Sequence, residues 1–348
     1  MPPETTGNLY QGTVWPWQSA LERVPHGWRM PLGVLAAAIT LIGMVTAREW
    51  GEMFHQWWNI DTYNHILLVP LITIWLIWLK ADELAKLSPR PFGWGAALVA
   101  AGLMLWLAGR LTGINLFAQA GAVGAVQGAV VAVLGVRVST LLALPLAYAA
   151  FMVPFGDEII PQLQSITAKM AIALTLGSGI PAVIDGIFID TPVGLFVVAE
   201  ACSGVKFLVA MVTLSVLVSF TRFTSWTRRA IFVAASIMIP ILANGVRAWG
   251  TIYIAQFAGV EFAAGFDHVF YGWIFFALVV AIVLAGAWRF FQSEPEDYGY
   301  TASDLDAMTW VARFEDGREG SMVILACIAA LCVAAWMAAA ILASSGLG

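Results

Sequence analysis

Long apolar runs, each about as long as a bilayer is thick and separated by short polar clusters, limit this chain to folds that bury no backbone polar group in lipid. Of its residues 60% are hydrophobic and only 11% charged, in runs and not in alternation. An all-α polytopic membrane protein follows. At about twenty residues per span, about nine candidate helices fall near 31–47, 65–79, 92–109, 114–135, 138–155, 204–220, 230–258, 270–288 and 321–345. The first thirty or so residues contain no compact basic-then-apolar start, so no cleaved signal peptide is expected and residues 1–30 form a cytoplasmic segment.

With that segment inside, the cytoplasmic loops collect most of the Lys and Arg, from Arg23 and Arg29 through Lys80, Arg137 and Arg222 to Arg318. The outer side keeps only Arg48, Arg110 and Lys169, so charge asymmetry supports this orientation. The net charge of -5 is concentrated in one late loop, and no basic arm exists for nucleic acid. The 3 cysteines, Cys202, Cys327 and Cys332, have no spacing for zinc, haem or a disulfide framework. No metal and no cofactor is expected.

Two outer segments are more than loops. The aromatic, polar stretch 50–65 suits the membrane interface. The longer segment, 156–203, predicts an amphipathic helix over 157–177 and then a β-hairpin whose turn contains the Pro and Gly of "DTPVG". That segment delivers Cys202, in "VVAEACSGVKFL", to the outer mouth of the sixth span. Arg247, in "ANGVRAW", lies about seventeen residues from the cytoplasmic end of the seventh, roughly 25 Å up. A guanidinium at that depth must find acceptors inside the protein. His268, in "DHVFYGW", opens the eighth span from the same side.

Three parts of the chain thus converge at one depth, and thiol chemistry needs these residue types. A thiolate is the nucleophile, and a neighbouring imidazole or guanidinium lowers its pKa. His268 can take and return a proton, and the fork of Arg247 can hold an oxyanion. The helix that comes after Cys202 adds its dipole. Each residue also has a plainer reading: a small apolar cysteine, a snorkelling arginine, an interfacial histidine. Supporting candidates are His65, beside Asp61 and Tyr63 at the start of the second span; Glu200 and Asp267, flanking the cysteine and histidine; and Asn244, one turn before Arg247 and placed to orient it.

The stretches "EACSGVKF", "ANGVRAW" and "DHVFYGWIFF", together with the earlier "YNHILLVPLITIWLIW", resemble the exosortase and archaeosortase family of membrane-embedded sorting enzymes, in the family's order. The resemblance covers roughly residues 30 to 290, which implies a transmembrane catalytic domain over 31–290; the span count adds an acidic cytoplasmic loop over 291–320 and an additional helix in 321–348. It implies that Cys202, Arg247 and His268 take the family's nucleophile, arginine and histidine positions. It further implies peptidase or transpeptidase action, at the outer face of a bacterial inner membrane, on proteins ending in a short motif (Pro-Glu-Pro in the commonest class), a transmembrane helix and a basic tail, with a link to exopolysaccharide production. Lys206 stands where arginine is the commoner residue. The rival class is a non-enzymatic carrier or assembly subunit for lipid-linked glycan, in which Arg247 binds phosphate and the thiol is incidental. For the acidic loop, two readings stand: attraction of the substrate's basic tail, or a solvated linker.

Overall fold

A computed structural model describes residues 25–266, 274–314 and 320–344. Within them seven helices are long and apolar enough to cross a membrane, or eight if the pair Ala47–Asn59 and Asn64–Leu79, bent by 113°, counts as one broken span. In chain order the helices are α1 (His26–Val45), α2 (Ala47–Asn59), α3 (Leu68–Leu79), α4 (Ala81–Ala85), α5 (Gly95–Thr112), α6 (Asn115–Leu141), α7 (Ala143–Ala149) and α8 (Ile160–Gly177). Three short strands come next, then α9 (Val205–Arg222), α10 (Trp226–Ala258), α11 (Val260–Phe266), α12 (Phe276–Trp288), α13 (Ala302–Ala307), α14 (Thr309–Arg313) and α15 (Ser321–Ser344).

The all-helical polytopic architecture matches the expectation, but the count of nine does not hold among the described residues. The apolar run at 138–155 is not one helix. α6 breaks at Gly135, whose φ is 83°, and a Cβ there would meet the Arg90 carbonyl oxygen. The run is instead divided among the end of α6, the seven-residue α7 and a 3-10 turn at Ala150–Met152. The eighth expected span contributes the 13-residue α12, since 267–273 lie outside the described residues. The helix expected to be amphipathic, α8, instead passes as apolar. Its polar Thr167 and Thr175 are 1% and 0% exposed, Thr167 against Asn244 of α10, whereas Gln162, Ser165 and Lys169 are exposed.

The expected hairpin is a three-stranded antiparallel meander, β1 (Val183–Asp185), β2 (Phe188–Thr191) and β3 (Gly194–Val197). The Pro-Gly turn falls where the sequence puts it, with Thr191 paired to Gly194 across Pro192 and Val193. The extra strand comes from a second two-residue turn, where Gly186 takes φ 59° at the first loop position, as a tight hairpin favours.

The best-packed part is the antiparallel pair α5–α6. Gly95, Gly102 and Gly109, seven residues apart, face Ala132, Ala125 and Ala118; a Cβ on Gly102 would lie 2.4 Å from the Ala125 nitrogen. Such close approach is how helices adhere where lipid removes the hydrophobic drive. Around this pair, α1 and α15 contribute Val34, Ala38, Ile42, Ile324, Ile328 and Cys332 to one core.

Most of the loop between α12 and α15 is folded. Arg222 bonds Glu294 at 2.9 Å, the Tyr298 hydroxyl donates to the Leu76 carbonyl at 2.7 Å, and Lys80 donates to the Tyr300 carbonyl at 3.2 Å. Glu83 accepts from the Ala302 nitrogen at 2.7 Å, Asp304 completes a capping box with Thr301, and Arg137 pairs with Asp306. Tyr298 and Leu305 are buried. The segment is a strap tying the cation-rich ends of α3, α6 and α9 together. Cys202 lies at the opposite end of α9, which at 18 residues is about 27 Å long.

Candidate active site

Cys202 ends a single 3-10 turn, Glu200–Cys202, between β3 and α9. Its nitrogen donates to the Ala199 carbonyl and Ser203 donates to that of Glu200, both at 2.9 Å. Gly204 then takes φ 78° to start α9. That residue must be glycine twice over: the left-handed backbone disfavours a side chain, and a Cβ would lie 2.7 Å from the amide carbon of Asn244.

Asn244 is 4% exposed on α10, and its Nδ2 donates to the Cys202 carbonyl at 2.8 Å and to the Thr167 hydroxyl at 3.0 Å. One amide therefore joins the cysteine turn, α10 and α8. Four residues earlier Pro240 deprives the Ser236 carbonyl of its helical donor, so α10 enters the site with its regular ladder interrupted. On the other flank, Gln164 of α8 donates to the Val198 carbonyl at 2.8 Å, fixing the chain that leads from β3 to the thiol.

Cys202, Asn244 and Arg247 line one small cleft, about 70 Å³, together with Phe196, Val197 and Val198 of the sheet side and Ala248, Thr251 and Ile252 of α10. Arg247 is half-buried, and its guanidinium lies 5.9 Å from the centre of the Phe207 ring. The Lys206 ammonium lies 5.1 Å from the same ring, and Phe207 stacks on Phe276 at 4.8 Å. The Phe207 ring thus neighbours two cations, one of which, Arg247, lines the cleft of the thiol.

The remaining sequence candidates divide. Asn244 is in the site, with its Nδ2 committed to Cys202 and Thr167. Glu200 is exposed, opens the turn that Cys202 ends, and contributes its carbonyl to it. His65 belongs elsewhere: its Nδ1 lies 3.1 Å from the Thr62 carbonyl, its Nε2 is buried without a partner among the described residues, and it does not line the cleft. His268 and Asp267 lie outside the described residues.

Sequence reasoning missed Thr167, Gly204 and Phe207. Gly204 carried a visible signal, a glycine two residues after the cysteine and directly before an apolar run. Nothing in the sequence pairs Thr167 with a residue 77 positions away.

The fold and this cleft define a helical multi-pass membrane protein with a cysteine and an arginine at one end of its bundle. A family profile described as transmembrane exosortase (Exosortase_EpsH) matches residues 57–285, and the chain belongs to that family. No curated protein and no solved structure matches the chain.

Proposed function

We propose that the chain is a cysteine peptidase or transpeptidase that cuts C-terminal sorting signals from membrane-anchored proteins, with Cys202 as nucleophile. The observation that carries this reading is the cleft itself. A cysteine turn is locked by a buried asparagine and a left-handed glycine, and a guanidinium lines the same space. An incidental thiol needs none of this.

The Cys202 thiolate attacks the scissile carbonyl, Arg247 holds the oxyanion of the tetrahedral intermediate through its planar fork, and His268 takes the thiol proton and returns it to the leaving amine. The product is a thioester on Cys202, which water or a second amine resolves. The role of His268 rests on its sequence position and the family. The gathering of Lys80, Arg137 and Arg222 at the far end of the bundle supports a site on the extracytoplasmic side, and the resemblance implies a bacterial inner membrane. The substrate is an exported protein bearing a short motif, a transmembrane helix and a basic tail, of the kind linked to exopolysaccharide loci.

Processing of such a substrate tests the reading. Cys202→Ala and Cys202→Ser are each expected to abolish it at normal enzyme abundance, and Arg247→Lys to remove most of it, since an ammonium lacks the paired donors. Undiminished processing by both Cys202 variants would rule out Cys202 as the nucleophile.

A further inference from the structure

The strand that runs into the cysteine turn has an unused edge. In the β2–β3 pairing, Thr191 opposes Gly194 and Ile189 opposes Phe196, and the Val198 nitrogen donates to Ile187 at 3.1 Å. Antiparallel parity then assigns 194, 196 and 198 to bonds with β2 and turns the N–H and C=O of Leu195 and the N–H of Val197 outward. The Val197 carbonyl is taken by Ala199 at 3.0 Å. Among the described residues no strand pairs with that outer edge.

We propose that this edge is the substrate-binding strand. An extended peptide segment, the stretch immediately preceding the substrate's own transmembrane helix, adds to β3 as a fourth strand and lays its scissile carbonyl against Cys202 and Arg247. The proposal rests on the peptidase reading of the cleft and deepens it.

Continuity is the first support: Phe196 and Val197 end the edge strand, and with Val198 directly after it they form one wall of the cleft that holds the thiol. The chemistry of the occupant is the second. Outward backbone donors and an acceptor cannot be satisfied by acyl chains, whereas a peptide backbone matches them in alternation. Rigidity is the third. Val198 is bonded at both its nitrogen and its carbonyl, so the edge keeps a fixed register relative to a cysteine four residues on. Finally, among the described residues β3 lacks the protection an idle edge needs. Leu195 and Val197 are 58% and 44% exposed and uncharged, whereas β1, the other edge, is three residues long, starts two residues after Pro181 and ends on the charged Asp185. Side chains of the added strand would alternate between the Phe196 wall, where only small ones fit, and the open Leu195 side.

Two measurements test this. With Cys202, Cys327 and Cys332 replaced by Ala, Leu195→Cys is oxidised against a single cysteine walked along the substrate segment. Disulfides are expected at alternate positions. Cross-linking at helical spacing, or equal cross-linking at every position, overturns the proposal. In the otherwise native enzyme, Val197→Pro deletes an outward donor and leaves the β2 bonds intact. It is expected to lower kcat/KM for processing roughly tenfold through KM, while the alkylation rate of Cys202 by iodoacetamide stays unchanged. Native kcat/KM in Val197→Pro, alongside an inactive Cys202→Ala, overturns the edge proposal alone. Processing that survives Cys202→Ala overturns the peptidase reading and the edge proposal with it.

Discussion

The α5–α6 pair and the Cys202 turn both use glycine to bring chain segments closer than any other residue allows, and they use the closeness differently. In α5–α6 the space left by Gly95, Gly102 and Gly109 is filled by alanines on the facing helix, so backbone meets backbone along an apolar seam. At Gly204 the space is filled by one amide group, which is hydrogen-bonded to Cys202 and Thr167. The first arrangement is adhesive and repeated. The second occurs once and positions a reactive side chain. Damage to the seam should therefore lower the amount of folded protein, and damage at Gly204 should lower the activity of each molecule.

The largest expected effect is that of Gly204→Ala. The left-handed φ of 78° costs about 1–2 kcal/mol for a residue with a Cβ, and the new carbon must displace Asn244 or the cysteine turn. A displacement near 1 Å at a nucleophile costs on the order of 100-fold, so processing per molecule should fall by about that factor with near-normal abundance. Gly102→Ala is the counterpart. Its Cβ would press on the Ala125 backbone and part the helices, at about 1–3 kcal/mol, so detergent-stable protein should drop while the purified remainder keeps its specific activity. Reversal of the two outcomes would break the comparison.

A smaller effect sharpens it. Thr167→Val keeps the shape of α8 but removes one of the two acceptors of Asn244, worth about 1 kcal/mol. Processing should decline several-fold, and the pH at which Cys202 becomes half-alkylated at a fixed time should shift as the turn loosens. An unchanged alkylation profile with reduced abundance would make the Thr167–Asn244 bond adhesive, like the seam.

Legibility in the sequence divides along the same line. Span counting brings Cys202 and Arg247 to one depth, because helix rise and bilayer thickness are nearly invariant. It places the "DTPVG" turn correctly, because proline and glycine act locally. It fails where a distant partner decides. The run at 138–155 looks like a span until the Arg90 carbonyl, packed on Gly135, is known. Thr167 of α8 looks like one more polar residue of an exposed face until Asn244 is found against it. Helix periodicity places Asn244 beside Arg247, whereas the bonds of its amide nitrogen run to other elements.

The strap joins helices that lead to the two regions, since it touches Arg222 at the far end of α9, Lys80 and Glu83 beside α3, and Arg137 in α6. Among the described residues, its carboxylates Glu294, Asp304 and Asp306 have partners within the protein and Glu296 and Asp297 are exposed, while Glu315, Asp316 and Glu319 lie outside the described residues. The Ala302 amide, and then Lys86, hold the Glu83 carboxyl below its usual range; the Thr301 amide and hydroxyl do the same for Asp304. A pKa depressed on folding means stability that is present above the unfolded carboxylate value, about 4.3 for Glu, and lost as pH falls through the folded one. Hydrogen-exchange protection of residues 298–307 should therefore be constant from neutral pH to about 5 and decline below about 4. Glu83→Gln, whose amide oxygen can still accept from Ala302, should blunt that decline and leave processing at neutral pH within about twofold of native. Protection unchanged at acid pH would mean that burial of Tyr298 and Leu305 alone holds the strap. A large loss of processing in Glu83→Gln would mean that the helical seam and the cysteine site are coupled through it, against the independence the glycine comparison implies.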